Sequence, residues 1–162
     1  MNSKKIKNKM IILCGGRGKR MGKLTNKMPK PLIQVAYKPI IEHKLIYYKS
    51  QGLTDFVFCL GYKSNQLKKF LKKKSPNSLF HDAGVRAGIL KRIDLVKEYI
   101  NDYTIISYGD TLAKINFFDL LQSHKRSKCA LTIVAAPIQN PFGIVNWNSE
   151  GKALFFDEKP IL

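Results

Sequence analysis

Residues 10–32 carry the chemistry. There a short apolar run, Met10-Ile11-Ile12-Leu13-Cys14, leads into Gly15-Gly16-Arg17-Gly18-Lys19-Arg20 and on to Pro29-Lys30-Pro31. Glycines let backbone N–H groups approach an anion closely, and the neighbouring cations add charge, so a loop of this composition can wrap around phosphates. Two common phosphate loops are excluded by spacing. Gly15, Gly16, Gly18 and Gly22 do not form G-x-G-x-x-G, and no G-x-x-x-x-G-K-[ST] run exists. A dinucleotide fold would also put an acidic ribose ligand where the second strand ends in Gly61-Tyr62.

The elements that must hold this loop follow from the apolar patterning. Residues 10–14 read as a buried parallel strand, and residues 15–38 as a long loop, which in a compact domain is usually functional. A helix follows Pro39, with Ile40, Ile41, Lys44, Leu45, Tyr48 and Lys49 on one face, and stops at Gly52. Residues 55–60 form a second buried strand, and Ser64 is read as the N-cap of a helix through Lys74. Residues 78–86 give a short strand and a loop, and a helical pattern follows Gly88. Residues 104–108 are a third buried strand ending in Gly109-Asp110, 117–124 a helix and 130–136 a fourth buried strand. Residues 143–147 and 153–156 pair as a hairpin around Asn148-Ser149-Glu150-Gly151. This alternation predicts a three-layer α/β fold with a mainly parallel sheet. In such sheets ligands lie beyond the C-terminal strand ends, where residues 15–20, Gly61-Tyr62 and Gly109-Asp110 would converge.

The bulk properties suit one globular domain: 162 residues, 44% hydrophobic. The net charge of +18 raises nucleic-acid binding, but the basic residues are mostly lysines spread over every segment, with arginine only at 17, 20, 86, 92 and 126. Readers of bases and phosphates favour clustered Arg, so specific nucleic-acid binding is not expected. Cys14, Cys59 and Cys129 are far apart in apolar runs and read as buried free thiols of a reducing compartment. His43, His81 and His124 are scattered, read as surface or capping residues, and suggest no zinc site. The apolar run behind the charged residues 1–9 is too short for an export signal, and no stretch approaches the ~20 residues of a membrane span. The expected location is the cytoplasm, with no membrane partner.

The run Leu13-Cys14-Gly15-Gly16-Arg17-Gly18-Lys19-Arg20-Met21, followed by Pro29-Lys30-Pro31-Leu32, resembles the signature of the sugar-1-phosphate nucleotidylyltransferases, close to G-G-x-G-T-R-L and P-K-P. The resemblance continues through residues 38–43, Tyr108-Gly109-Asp110, Phe142-Gly143 and Phe156-Asp157-Glu158-Lys159-Pro160. Within that family, residues 55–63, Asp82-Ala83-Gly84 and Leu90-Lys91-Arg92 look most like the glucose-1-phosphate cytidylyltransferase branch. The fold implied is the three-layer, Rossmann-like α/β architecture of the nucleotide-diphospho-sugar transferases.

The reaction so implied is transfer of NMP, CMP first among the candidates, from an NTP to a sugar 1-phosphate, with release of pyrophosphate. In-line attack on an α-phosphorus needs charge stabilisation more than a proton-transfer group. By resemblance, Arg20 holds the departing pyrophosphate, Lys30 the α-phosphate region, and Asp110 ligates Mg²⁺. Nucleotide binding would fall to Leu13, Cys14, Gly15, Gly16, Gly18, Lys19, Gly88 and Gly109, with Gly88 near the base or ribose. Gly143 and Glu158 would meet sugar hydroxyls and Lys159 the sugar phosphate. Read from residue type alone, Arg20 and Lys30 are loop cations, Asp110 caps a turn before Thr111, and Glu158-Lys159 is a surface pair.

The sequence departs from the family pattern at Lys19, where Thr is usual, and at residues 85–89, which replace a Thr-Gly-Gly-Arg-type stretch. The region between Lys74 and Asp82 is shorter. The expectation is one nucleotidyltransferase domain over residues 1–162 lacking the family's C-terminal part, which completes the sugar pocket and supplies a second metal-binding Asp. A homo-oligomer or a complementing chain is the protein partner left open. Two other functions stay open beside it: a cytidylyltransferase acting on a small phospho-alcohol such as phosphocholine, and a non-catalytic nucleotide-binding or regulatory domain.

Overall fold

A computed structural model describes residues 9–138 and 141–159; residues 1–8, 139–140 and 160–162, Pro160 among them, lie outside. The chain divides into two compact units, residues 1–123 and 124–162.

The first unit is built on β1 (Met10–Leu13), which is wholly buried. After it the chain forms a 3-10 turn (Lys19–Met21), the short helix α1 (Lys23–Lys27), a second 3-10 turn (Lys30–Leu32) and a small hairpin of β2 (Gln34–Val35) and β3 (Lys38–Pro39). The expected long loop is therefore subdivided. Gly22, with a positive φ of 55°, separates the first turn from α1, and Pro29 starts the second turn, so each element stops where backbone chemistry requires it.

The helix α2 (Ile40–Ser50) starts behind Pro39 and ends before Gly52, as expected. Then come β4 (Phe56–Leu60), α3 (Ser64–Lys74), β5 (Leu79–Asp82), α4 (Ile89–Asp94), a 3-10 turn (Lys97–Tyr99) and β6 (Ile105–Tyr108). Helix α5 (Phe117–Ser127) runs across the boundary between the units. Ser64 is not the N-cap of α3. Lys63 takes that place in a left-handed conformation, φ 50°, without a side-chain cap. The Tyr62 amide is committed to the Gly15 carbonyl at 3.1 Å, which turns the chain before Ser64 is reached.

The four strands form an all-parallel sheet in the order β5-β4-β1-β6. Met10 stands between Phe56 and Ile105, and Leu13 between Cys59 and Tyr108. Alternation along β1 and β4 sends Met10, Ile12, Phe56 and Phe58 to one face, where α2, α3 and Phe117 cover them. Ile11, Leu13, Val57 and Cys59 face the other way, against Val96, Ile93 and Tyr99. Both faces are apolar because both are covered, which is why these strands read as continuous hydrophobic runs. The three-layer, Rossmann-like α/β fold is as expected.

The second unit contains the antiparallel hairpin of β7 (Ile144–Trp147) and β8 (Ala153–Asp157). The expected strand at 130–136 does not form: no ladder joins it to any described strand, and Leu131 and Ile133 are 72% and 78% exposed. An apolar run becomes a strand only with a hydrogen-bonding neighbour, and here β7 and β8 satisfy each other. Cys129, at the start of that run, is consequently exposed rather than buried, whereas Cys14 and Cys59 are buried as expected.

The histidines bind no common site: His43 contacts the Val35 carbonyl at 2.7 Å and His124 the Thr132 hydroxyl at 2.8 Å. His81 sits half-buried in β5 with its ring 5.2 Å from that of Tyr99, which is neither a surface nor a capping position.

Candidate active site

Beyond the C-terminal ends of β1, β5 and β6 lies a cavity of about 550 Å³. Its wall along the glycine loop is Leu13, Cys14, Gly15, Gly16 and Gly18, continued by Arg20 and Met21. Lys30 and Pro31 close one side, Tyr108 and Asp110 another, and Val85, Ala87, Gly88, Ile89 and Arg92 the third. Segments far apart in sequence meet here because the strands they follow are neighbours in one parallel sheet.

The glycine loop is held from beneath. Thr25, 3% exposed, donates its hydroxyl to the carbonyls of Gly18 and Gly22 at 3.3 and 3.1 Å. Gly18 has φ 64°, and a Cβ there would come within 3.0 Å of the Thr25 methyl, so the left-handed turn and the close packing both demand glycine. Among the described residues the amides of Gly16, Arg17 and Gly18 have no protein acceptor. Consecutive free N–H groups at the end of a parallel strand suit an anion.

Charge is concentrated at the same place. Lys30 Nζ and the Asp110 carboxylate form an ion pair of 2.8 Å, each side chain a little over a quarter exposed. Asp110 is brought in by Gly109, whose N–H donates to the Leu13 carbonyl at 2.9 Å and whose missing Cβ leaves room for Cys14 Sγ. Arg20 is exposed at the rim. Burial pushes the Cys14 thiol far above its ordinary value, so it stays neutral and acts as wall.

Sequence reasoning missed three supports. Lys44 on α2 is 4% exposed; its Nζ donates to the Thr111 carbonyl and lies 5.0 Å from the Tyr48 ring. Burial pulls its pKa down to about 8, against the pull of Cys14 and Asp110. Its place between Ile41, Leu45 and Tyr48 on the apolar face was the available signal. Arg92 is 5% exposed and donates to three carbonyls. Thr25 carried no signal beyond a hydroxyl at the start of a short helix.

Of the residues singled out from sequence, Leu13, Cys14, Gly15, Gly16, Gly18, Gly88, Arg20, Lys30 and Asp110 line the one cavity. Lys19 is exposed in the 3-10 turn and Gly109 is packed behind the wall. Gly61-Tyr62 lies outside the lining, with Tyr62 reaching under the loop to the Thr25 carbonyl at 2.9 Å. Gly143, Glu158 and Lys159 belong to the second unit. Gly143 packs against the Phe156 ring, where a Cβ would come within 2.5 Å of it, and Glu158 and Lys159 form an exposed pair at 3.9 Å.

Residues 9–162 match the nucleotidyl transferase family. The chain belongs to that family. It is 34% identical to a probable glucose-1-phosphate cytidylyltransferase of Bacillus subtilis, covering 93% of this chain and 68% of the relative. It is 30% identical to a mannose-1-phosphate guanyltransferase of Schizosaccharomyces pombe, covering 94% of this chain and 45% of that one. The crystal structure of HddC from Yersinia pseudotuberculosis shares the fold at TM-score 0.69 and 23% identity, over 94% of this chain and 69% of HddC. Its relatives are sugar-phosphate nucleotidyltransferases, of cytidylyl and guanylyl type. No helix among the described residues is long and apolar enough to cross a membrane.

Proposed function

We propose that this chain transfers CMP from CTP to a sugar 1-phosphate, releasing pyrophosphate and forming a CDP-sugar for polysaccharide synthesis in the cytoplasm. The observation that carries the reading is the meeting of Gly16 and Gly18, whose amides have no protein acceptor among the described residues, with Lys30 and Asp110 in one cavity. The choice of cytidine is supported by the likeness to the Bacillus subtilis cytidylyltransferase.

In this reading the loop amides take the phosphate oxygens, and Lys30 places a point charge beside the α-phosphate. Arg20, at the rim and without an ion-pair partner among the described residues, takes the leaving pyrophosphate with its two-pronged guanidinium. Gly88 faces the nucleoside, while Gly143, Glu158 and Lys159 serve the sugar phosphate.

Asp110 is the residue for Mg²⁺. No group of three or more His, Cys, Asp or Glu is placed to hold a metal among the described residues. A single carboxylate nonetheless fits Mg²⁺, which is commonly held by one or two carboxylates, phosphate oxygens and water. When bound, the ion would neutralise charge developing on the phosphates. Lys30 already plays a cation's part at Asp110, which supports this role for the carboxylate.

The test is pyrophosphate release from each of the four NTPs with glucose 1-phosphate and Mg²⁺. Release with CTP, lost in Arg20→Ala and Asp110→Ala, is the expected result. Equal release with all four nucleotides would overturn the choice of CTP, and none from any pair would overturn the transferase reading.

A further inference from the structure

Arg92 is the one guanidinium buried among the described residues, and no carboxylate pairs with it there. Its Nη1 donates to the Leu60 carbonyl at 2.5 Å, and its Nη2 to the carbonyls of Gly15 and Gly84, each at 3.1 Å. The Leu60 carbonyl ends β4, and those of Gly15 and Gly84 lie two residues beyond β1 and β5, so a single planar group ties three strand ends together. The slot is shaped for it. A Cβ on Gly15 would overlap the guanidinium, and a Cβ on Gly61 would lie 2.6 Å from Nη1 and 2.9 Å from the Gly84 oxygen. Three fixed carbonyls need a rigid fork, which the single ammonium of lysine does not supply.

The Gly15 carbonyl is held twice, by Arg92 and by the Tyr62 amide at 3.1 Å. A planar trans peptide points its N–H opposite its C=O. Fixing the Gly15 oxygen therefore fixes the Gly16 N–H in the contrary direction, and that amide has no protein acceptor among the described residues. Gly16 is exposed, and a Cβ there would meet nothing within 4 Å.

We propose that Arg92 is a positioning residue for phosphate binding: gripping three strand-end carbonyls, it sets the Gly15–Gly16 peptide plane so that the Gly16 amide is aimed at the anion. The proposal rests on the reading of the cavity as a polyphosphate site, and its test is separable from turnover. Tripolyphosphate binding is measured by calorimetry, and the Gly16 amide is followed by nitrogen-15 NMR during the titration. Wild type should bind the anion with a shift of the Gly16 resonance. Arg92→Lys should keep its melting temperature within a few degrees yet lose about tenfold in affinity, the scale of one hydrogen bond to a charged group. Its Gly16 shift should vanish, which a general loss of packing would not single out. Gly15→Ala should weaken binding by displacing the guanidinium, and in an Arg92→Ala background it should cost nothing further.

Arg92→Lys binding within twofold of wild type, or strictly additive losses in the Gly15/Arg92 pair, would overturn the proposal. If Arg92→Ala does not fold, the Arg92→Lys affinity and the Gly16 resonance decide alone. Wild type that binds tripolyphosphate without making any NDP-sugar removes the transferase reading and leaves Arg92 in place. Wild type that binds no tripolyphosphate removes both.

Discussion

Lys44 offers a measurement that depends on the fold rather than on activity. It lies on the buried face of α2 and is 4% exposed, and burial pulls its pKa from 10.5 to about 8. Between those values the unfolded chain carries a proton that the folded chain has released. Stability therefore rises with pH through that window and is independent of this group below pH 8, where both states are charged. A separation of about 2.5 pH units at about 1.4 kcal/mol each amounts to about 3 kcal/mol. Lys44→Met removes the titration while keeping most of the side-chain volume. The Thr111 carbonyl that loses its donor belongs to an exposed residue, so water can replace the ammonium. Urea unfolding of both proteins at pH 7, 8, 9 and 10 is the assay. The stability of wild type relative to Lys44→Met should be flat from pH 7 to 8 and then climb by about 1 kcal/mol per pH unit. Parallel curves up to pH 10 would refute the argument, because tyrosines common to both proteins cancel in the difference.

Lys30→Ala should leave stability within about 1 kcal/mol, since its pair with Asp110 is partly solvated, while tripolyphosphate affinity measured by calorimetry falls about tenfold. Leu67→Ala, at a fully buried position of α3 beneath β4, should cost about 2–5 kcal/mol by urea unfolding, with anion affinity of the folded fraction unchanged.

How far the sequence reaches is clearest along the first unit. The runs at 10–13 and 56–60 could be read as buried strands because each is apolar and is followed by glycine where the chain must turn; 105–108 forms the expected strand too, but at the sheet edge, where Ile105 is buried and Ile106 and Tyr108 are exposed. The gathering of Gly15, Lys30 and Asp110 then follows from parallel-sheet topology, and the cavity contains all three. The same reasoning failed at 130–136. Composition there matches a buried strand, but a strand also needs a backbone partner, and none is present among the described strands. Lys63 replaced Ser64 at the start of α3 for a similar reason, because a long-range bond from Tyr62 to Gly15 set the turn.

Lys44 and Arg92 mark the boundary between the two kinds of information. Local pattern gave a signal for Lys44, through its place on the apolar face of α2, and none for Arg92; a charge tolerates the interior only when acceptors surround it, and these come from distant segments. The acceptors are the Thr111 carbonyl for Lys44, and those of Gly15, Leu60 and Gly84 for Arg92. The sequence by itself determined that β1 and β4 are buried strands, where they turn, and which loop gathers glycines and cations, because these depend on residue type and short-range spacing. Only the tertiary structure decided which cation supports the loop from within and which remains exposed at the rim, because that depends on carbonyls brought together from segments far apart in the chain.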